Sequence, residues 1–291
     1  MTVPMIIYYI IFRYMPIFGL VISFQDFRPL AGQSVIRSIL NSEYLGLQHF
    51  VDFFGSLYGK QILLNTFLIS LYKIVFGFPA PIILALMLNE VKKERFKKFV
   101  QSISYLPHFI SWVILAGIVR FIFSPDYGII VPLFRAFGKP VINFLGDNAY
   151  FRALLVMTDI WQSVGWGSIV YLAAITGLDA QLYEAASIDG AGKLQQLFHI
   201  TLPGIASTVV VMFILRVGNI LNAGFDQVFN LYNPAVYEVG DIIDTYVYRV
   251  GLEQFEFSYT SAVGFFKSVF GFAMVMMTNH LAHLLGEEGI W

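Results

Sequence analysis

The chain has 291 residues, of which 57% are hydrophobic, 17% aromatic and only 13% charged, with a formal net charge of −1. Soluble domains carry about 25% charged residues, so there is too little polar surface here to cover a water-soluble body. An ordinary cytosolic enzyme, a disordered chain and a nucleic-acid binder with its basic face are excluded. The absence of cysteine removes disulfides, thiol nucleophiles and Cys-ligated zinc and leaves the redox compartment unread.

A bilayer core of about 30 Å needs about 20 apolar residues in a helix. Six runs meet that need. The first, 4–24, holds Arg13 and Pro16. It lacks the basic leader and small-residue cleavage site of a signal peptide. It also lacks the Lys or Arg that anchors a first span, which suggests a natural start further upstream. The second, 62–88, contains Lys73 and the Pro79/Pro81 pair; the third is 103–123 and the fourth 151–175. The fifth runs from 205 to about 225 and the sixth from 262 to 285. The runs are continuously apolar rather than alternating, so they read as helices and not barrel strands. Prolines inside them are tolerated where neighbouring helices or waters take up the freed carbonyls. The expected fold is all-α: a polytopic membrane helix bundle of about six transmembrane helices. Residues 1–61 supply the first helix and an external loop, and 62–291 supply a core of five helices with a loop at 176–204.

Orientation follows from Lys and Arg in short loops. The loop 89–101 holds Lys92, Lys93, Arg95, Lys97 and Lys98, which places it in the cytoplasm as a topology anchor. Parity then puts both termini and 176–204 in the cytoplasm, and 25–61, 124–150 and 226–261 outside. The last of these is acidic, with Glu238, Asp241, Asp244, Glu253 and Glu256.

The segment 182–204 is too patterned for a plain connection. Tyr183 to Asp189 are helix formers; Gly190 and Gly192 break the helix. Leu194, Leu197 and Phe198 then share one face at i, i+3, i+4, and Pro203 stands at the start of the fifth span, where proline is tolerated. Two short helices around a glycine turn make a knob shaped to enter a groove in another protein; an amphipathic helix lying on lipid is the other reading, although Lys193 is its single basic residue.

Glu184-Ala185-Ala186, three residues, Gly190, nine residues, then Ile200-Thr201-Leu202-Pro203 resembles the EAA motif of permease subunits of ATP-binding-cassette importers. The stretches FDQVFNLYNP, IDTYVYRVGL and AVGFFKSV resemble the carbohydrate branch, maltose-type in general and LplB-like oligosaccharide permeases in particular. The resemblance implies that Glu184 faces an ATPase subunit, that Ala185 and Ala186 permit close approach, and that Gly190 makes the turn of the coupling helix, with Asp189 among the residues that couple to the ATPase. Ile200, Leu202 and Pro203 would brace it against the fifth span. It also implies a second homologous permease, an ATPase dimer and an extracytoplasmic solute-binding protein as partners, in a bacterial cytoplasmic membrane.

The chain itself has no engine. A P-loop needs G-x-x-x-x-G-K-[ST]. The nearest string, Asp189-Gly190-Ala191-Gly192-Lys193-Leu194, lacks the first glycine and has leucine where magnesium needs a hydroxyl. ATP and magnesium are therefore expected on the ATPase partner, with no cofactor and no catalytic residue in this chain. His280 and His283 lack a carboxylate on their face, so they read as membrane-interface residues rather than metal ligands.

Polar residues inside spans are costly and point to function. Asp159, Gln162, Ser163 and Trp166 lie at i, i+3, i+4, i+7 of the fourth span, and Asn219, Asn222 and Asp226 at i, i+3, i+7 of the fifth. Amides, a carboxylate and an aromatic platform suit a sugar pathway; hydrogen bonding between helices is the competing reading. In maltose-type relatives the matching parts of these helices line the translocation cavity. Lys73 and Arg216 read as buried charges in need of partners, Arg216 pairing either with a carboxylate or with an acidic substrate. Tyr232, Tyr237, Tyr246 and Tyr248 in the external segments fit a docking surface or an aromatic membrane belt. The expected function is the permease subunit of an importer of an oligosaccharide, possibly acidic. The rivals are a self-sufficient secondary transporter, which often carries inverted repeats and an ion relay, and a non-transporting membrane scaffold.

Overall fold

A computed structural model describes residues 2–29, 32 and 34–284. Nearly all of it is helix; the one sheet is an antiparallel pair, Gln25–Asp26 with Glu43–Tyr44. Among the described residues three helices are long and apolar enough to cross a membrane: Val3–Phe24, Leu57–Glu90 and Phe257–Leu284. The sixth expected span ran to Leu285, which lies outside the described residues. Two more spans are bent pairs: Glu94–Phe109 with Trp112–Phe123, and Lys193–Gly204 with Ala206–Gly218. The Asn148–Thr176 helix, 29 residues long, extends about 43 Å at 1.5 Å per residue and completes the six; its polar stripe keeps its hydropathy below that of the others.

Two of the expected spans differ in shape. The third is not straight: its halves meet at 107°. Pro107 lies in the Leu106–Phe109 turn and Ser111 precedes the next helix in extended conformation, so the ladder of the first half cannot continue. The basic residues Arg95, Lys97 and Lys98 stand on the opening turns of the Glu94–Tyr105 helix rather than in a loop. The fifth span does not run on to residue 225. Its helix stops at Gly218, with Asn219 as cap.

The chain divides into two compact units. The first contains Met1–Thr66 and Asp241–Phe270. Residues Val3 to Phe18 of its first helix are exposed throughout, an apolar surface suited to lipid or to another helix. Aromatic rings cluster around buried Phe53 and beside it: Phe24 against Phe265, Phe53 against Tyr246 and Tyr259, Phe54 against Phe266. Three of these pairs are edge-on and Phe53–Tyr246 is tilted; aromatic pairs add roughly 0.5–1.5 kcal/mol each beyond burial. Half-buried Tyr246 packs its ring in this cluster, and its hydroxyl donates to Tyr259 at 3.3 Å. Fully buried Asp241 is paired with Arg249 at 2.5 Å and accepts from the Tyr58 hydroxyl at 2.5 Å and the Thr245 hydroxyl at 2.7 Å. Burying that carboxylate is tolerable because its oxygens are all satisfied.

The second unit, Phe67–Gly240 with Gly271–Trp291, is built around the Asn148–Thr176 helix, which packs along Pro79–Glu90 and Glu94–Tyr105. Gly165 permits the closest approach: a Cβ there would lie 2.0 Å from the Ser104 backbone oxygen. Gly165→Ala must force the two helices apart. It is expected to cost about 1–3 kcal/mol, the usual range for overpacking, read as a lowered thermal midpoint of the purified protein in detergent; an unchanged midpoint contradicts this packing.

Candidate functional site

Two parts of the second unit concentrate the sequence-predicted residues. One is the knob. Ala180–Ile188 is a helix capped by the Asp179 carboxylate, which accepts from the Gln181 N–H at 2.9 Å. The chain then reverses at Gly190, whose φ of +81° favours glycine. The Ala191 N–H closes the turn on the Ala186 carbonyl at 2.8 Å, an αL helix ending. Helix resumes at Lys193, with the Gly192 N–H donating to the Gln195 side chain at 2.7 Å. Side chains lock the two arms together: the Tyr183 and Thr201 hydroxyls lie 2.9 Å apart, and the Gln196 amide donates to the Ser187 hydroxyl at 2.9 Å. A buried cluster of Ala85, Tyr171, Ile175 and Ile205, with Leu178 and Val209 against it, seats both ends of the knob. Lys193 also meets Glu90 at 2.9 Å, but both are well exposed, and such a pair contributes under about 1 kcal/mol.

The knob thus has the predicted form, two short helices about a glycine turn. Glu184, Ala185 and Asp189 are exposed on its first arm. Ile188 at 87% and Leu194 at 70% exposure present apolar surface that a hydrogen-bonded loop holds outward. Ala186 is half-buried where the arms meet; Ile200 and Leu202 are half-buried at the base, and Pro203 is exposed. Pro203 lies within the last turn before a 59° bend at Ile205.

The other part is a charge cluster. Lys73 lies 16 residues from one end of Leu57–Glu90 and 17 from the other, so it sits at the middle of a crossing helix. Its Nζ, 4% exposed, is 3.0 Å from Asp159 Oδ1 and donates to the Ala223 carbonyl at 2.8 Å and to the Gln227 side chain. Gln227 in turn donates to the Leu155 carbonyl and the Thr158 hydroxyl, each at 2.7 Å. Gly224, at φ +91°, makes the turn that brings these groups in; a Cβ on it would lie 2.9 Å from the Lys73 Nζ. The other oxygen of Asp159 faces Arg216 at 3.4 Å. Two cations and one anion leave the cluster with a net charge of +1.

This arrangement corrects three expectations. Asp159 is not a free acceptor for a sugar hydroxyl: both of its oxygens are engaged by cations. Arg216 is not buried but 43% exposed. Asn219, Asn222 and Asp226 do not form one helical stripe, because the helix ends at Gly218 and a new one begins at Phe225. All three are nevertheless exposed, and the Asn219 amide donates to the Leu215 carbonyl at 2.9 Å. Gln162 and Ser163 are half-buried, and the Ser163 hydroxyl turns back on the Asp159 carbonyl at 2.7 Å. Trp166 is 46% exposed and lies flat on His108, rings 4.8 Å apart and 2° from parallel. Gln227 and Gly224 escaped the sequence reading. The signal was available in part: an apolar helix containing one lysine needs partners from elsewhere, and Gly218 and Gly224 bracket a break.

The amino-acid sequence also matches a family model described as the binding-protein-dependent transport system inner membrane component, over residues 77–285. The chain belongs to this family. It is 47% identical to the polygalacturonan/rhamnogalacturonan transport system permease protein YteP of Bacillus subtilis (strain 168), over 100% of this chain and 89% of that protein. It is 42% identical to protein LplB of the same organism, over 100% of this chain and 90% of that one. Its fold is similar to a chain in the crystal structure of a bacterial alginate ABC transporter in complex with alginate pentasaccharide-bound periplasmic protein: TM-score 0.90, 38% identity, covering 99% of this chain and 94% of that one. This permease is therefore a component of an ATP-binding-cassette importer, a transport component rather than an enzyme, and its crossing helices belong to an inner membrane. A secondary transporter and a scaffold are set aside.

Proposed function

We propose that this permease carries an acidic oligosaccharide from an extracytoplasmic solute-binding protein into the cytoplasm by alternating access. A second, homologous permease completes the pathway, and a dimer of ATPase subunits supplies the energy, with ATP and magnesium held on those subunits. The knob is the observation that carries the reading. Its rigid turn at Gly190, with Ile188 and Leu194 held outward, suits a lever that an ATPase closes upon. Glu184 and Asp189 give its first arm a negative face for a basic groove, Ala185 and Ala186 keep that arm slim, and Ile200, Leu202 and Pro203 relay its motion to Ala206–Gly218. Both termini and 176–204 are cytoplasmic in this reading, as the basic residues 92–98 favour.

The pathway is lined by Gln162, Ser163, Trp166, Asn219, Asn222 and Asp226, with Asp159 acting behind them as a counter-ion. The acidic substrate class is supported by the positive balance of the mid-span cluster and by relatives named for polygalacturonan and alginate. The binding protein that docks on the purified transporter, titrated with uronate-containing and neutral oligosaccharides of equal length, is expected to bind the uronates by more than about tenfold, or 1.4 kcal/mol. Equal affinity for neutral sugars overturns the acidic assignment.

A further inference from the structure

Three charges inside the crossing helices share one depth. Lys73 is central in Leu57–Glu90. Asp159 stands 11 residues into Asn148–Thr176, about 16 Å along the axis. Arg216 is 12 residues beyond Gly204, about 18 Å from the end of the knob. In a hydrocarbon core about 30 Å thick, three separate helices deliver their charge near the midplane.

The two cations on Asp159 are not equivalent. Lys73 is 4% exposed and held by a carbonyl, an amide and the carboxylate, so it has no route to a solute. Arg216 is 43% exposed, makes, among the described residues, a single side-chain contact, with Asp159 at 3.4 Å, and has further N–H donors on its guanidinium fork. An exposed guanidinium at mid-depth cannot face lipid tails without a large cost, and so it faces a water-filled cavity or a partner chain. With Lys73 already neutralising Asp159, the charge of Arg216 is the uncompensated one.

From this geometry we infer that Arg216 is the residue that reads a substrate carboxylate, and that Asp159 is its exchangeable counter-ion. A carboxylate in the pathway takes the guanidinium in bidentate fashion, the geometry arginine is suited to. Asp159 meanwhile keeps Lys73 on its other oxygen, at 3.0 Å. When the solute leaves, Arg216 falls back on Asp159, which keeps the bare cation from holding the substrate too tightly. The inference rests on the proposed acidic substrate and adds the atom that recognises it. The exposed neighbours Asn219 and Asn222 are placed to bind hydroxyls beside that carboxylate.

The test is uptake into proteoliposomes holding the complete transporter, with the binding protein saturated either by a uronate oligosaccharide or by its methyl ester, which has the same shape without the charge. The wild type is expected to import the acid at least about tenfold faster than the ester. Arg216→Gln should erase that preference by slowing the acid, and Arg216→Lys, which keeps the charge but not the fork, should restore part of it. The lysine variant also guards against misfolding, since it must assemble and transport. If Arg216→Gln keeps the full preference for the acid, the inference is overturned while the acidic substrate stands. If the wild type imports acid and ester equally, the substrate assignment fails and the inference falls with it.

Discussion

Replacing Lys73 by methionine is expected to lower the stability of the permease by about 3–5 kcal/mol, the range seen when one partner of a buried ion pair is removed. Methionine fills similar volume, so the loss is electrostatic rather than a cavity. Asp159 would keep only the longer contact to Arg216, and the Ala223 carbonyl and the Gln227 side-chain oxygen would lose their cation. Each is an unsatisfied polar group away from water, costing about 1–3 kcal/mol. Since whole domains are stable by about 5–15 kcal/mol, the variant should fail to accumulate as assembled transporter. Lys73→Met with Asp159→Asn removes both charges of the buried pair and should recover part of the loss, by the logic of a double-mutant cycle. Size-exclusion profiles and thermal midpoints of the three proteins decide the matter. A single variant as stable as wild type would mean that the buried pair is not holding these helices.

The second large effect is expected at the knob. Gly190→Val places a β-branched residue at φ +81°. The left-handed region costs an ordinary residue roughly 1–2 kcal/mol, and a branched one is a genuine outlier there. The turn should open, the Tyr183–Thr201 and Gln196–Ser187 links should slip, and the exposed Ile188 and Leu194 should lose their fixed placement. Uptake is expected to fall by more than about tenfold, the factor corresponding to 1.4 kcal/mol, with the binding protein's affinity for solute untouched. Gly190→Asn is the matched control, because asparagine enters the left-handed region more readily; it should keep most of the activity. Glu184→Lys, reversing an exposed charge on the first arm, should weaken retention of the ATPase without changing the fold. Normal uptake by the valine variant would remove the knob from the coupling route.

Several of these features could be read from the amino-acid sequence because their causes are local. The knob is set by glycine positions and by an i, i+3, i+4 apolar face within 23 residues, so chain order alone reveals it. The need of Lys73 and Arg216 for partners was equally plain, since charge in an apolar run is costly wherever it occurs. Which partner each would find was not, because the Lys73–Gln227 contact joins residues 154 apart in the chain. The extent of burial escaped for the same reason: nothing in the fifth span separates Arg216 from a buried residue until Asn148–Thr176 is packed beside it. The polar residues 219, 222 and 226 were misassigned to one helical face by extending a 3.6-residue period past Gly218, where Gly224 and a left-handed turn end it. The third span misled through Pro107, whose local break became a 107° bend. Aromatic residues of the external segments were ambiguous because tyrosine serves surfaces and cores alike; Tyr246 is half-buried, with its ring against Phe53, Tyr58 and Tyr259.

In the proposed function this chain moves solute only as the membrane half of an ATP-driven importer. Reconstitution into liposomes addresses it directly, with the ATPase subunits, the second permease, the solute-binding protein and ATP each omitted in turn. Uptake of a radiolabelled uronate oligosaccharide is expected only when all four are present, and should vanish when any one is left out. Uptake by this chain alone, driven by a proton or ion gradient without ATP, would contradict the account.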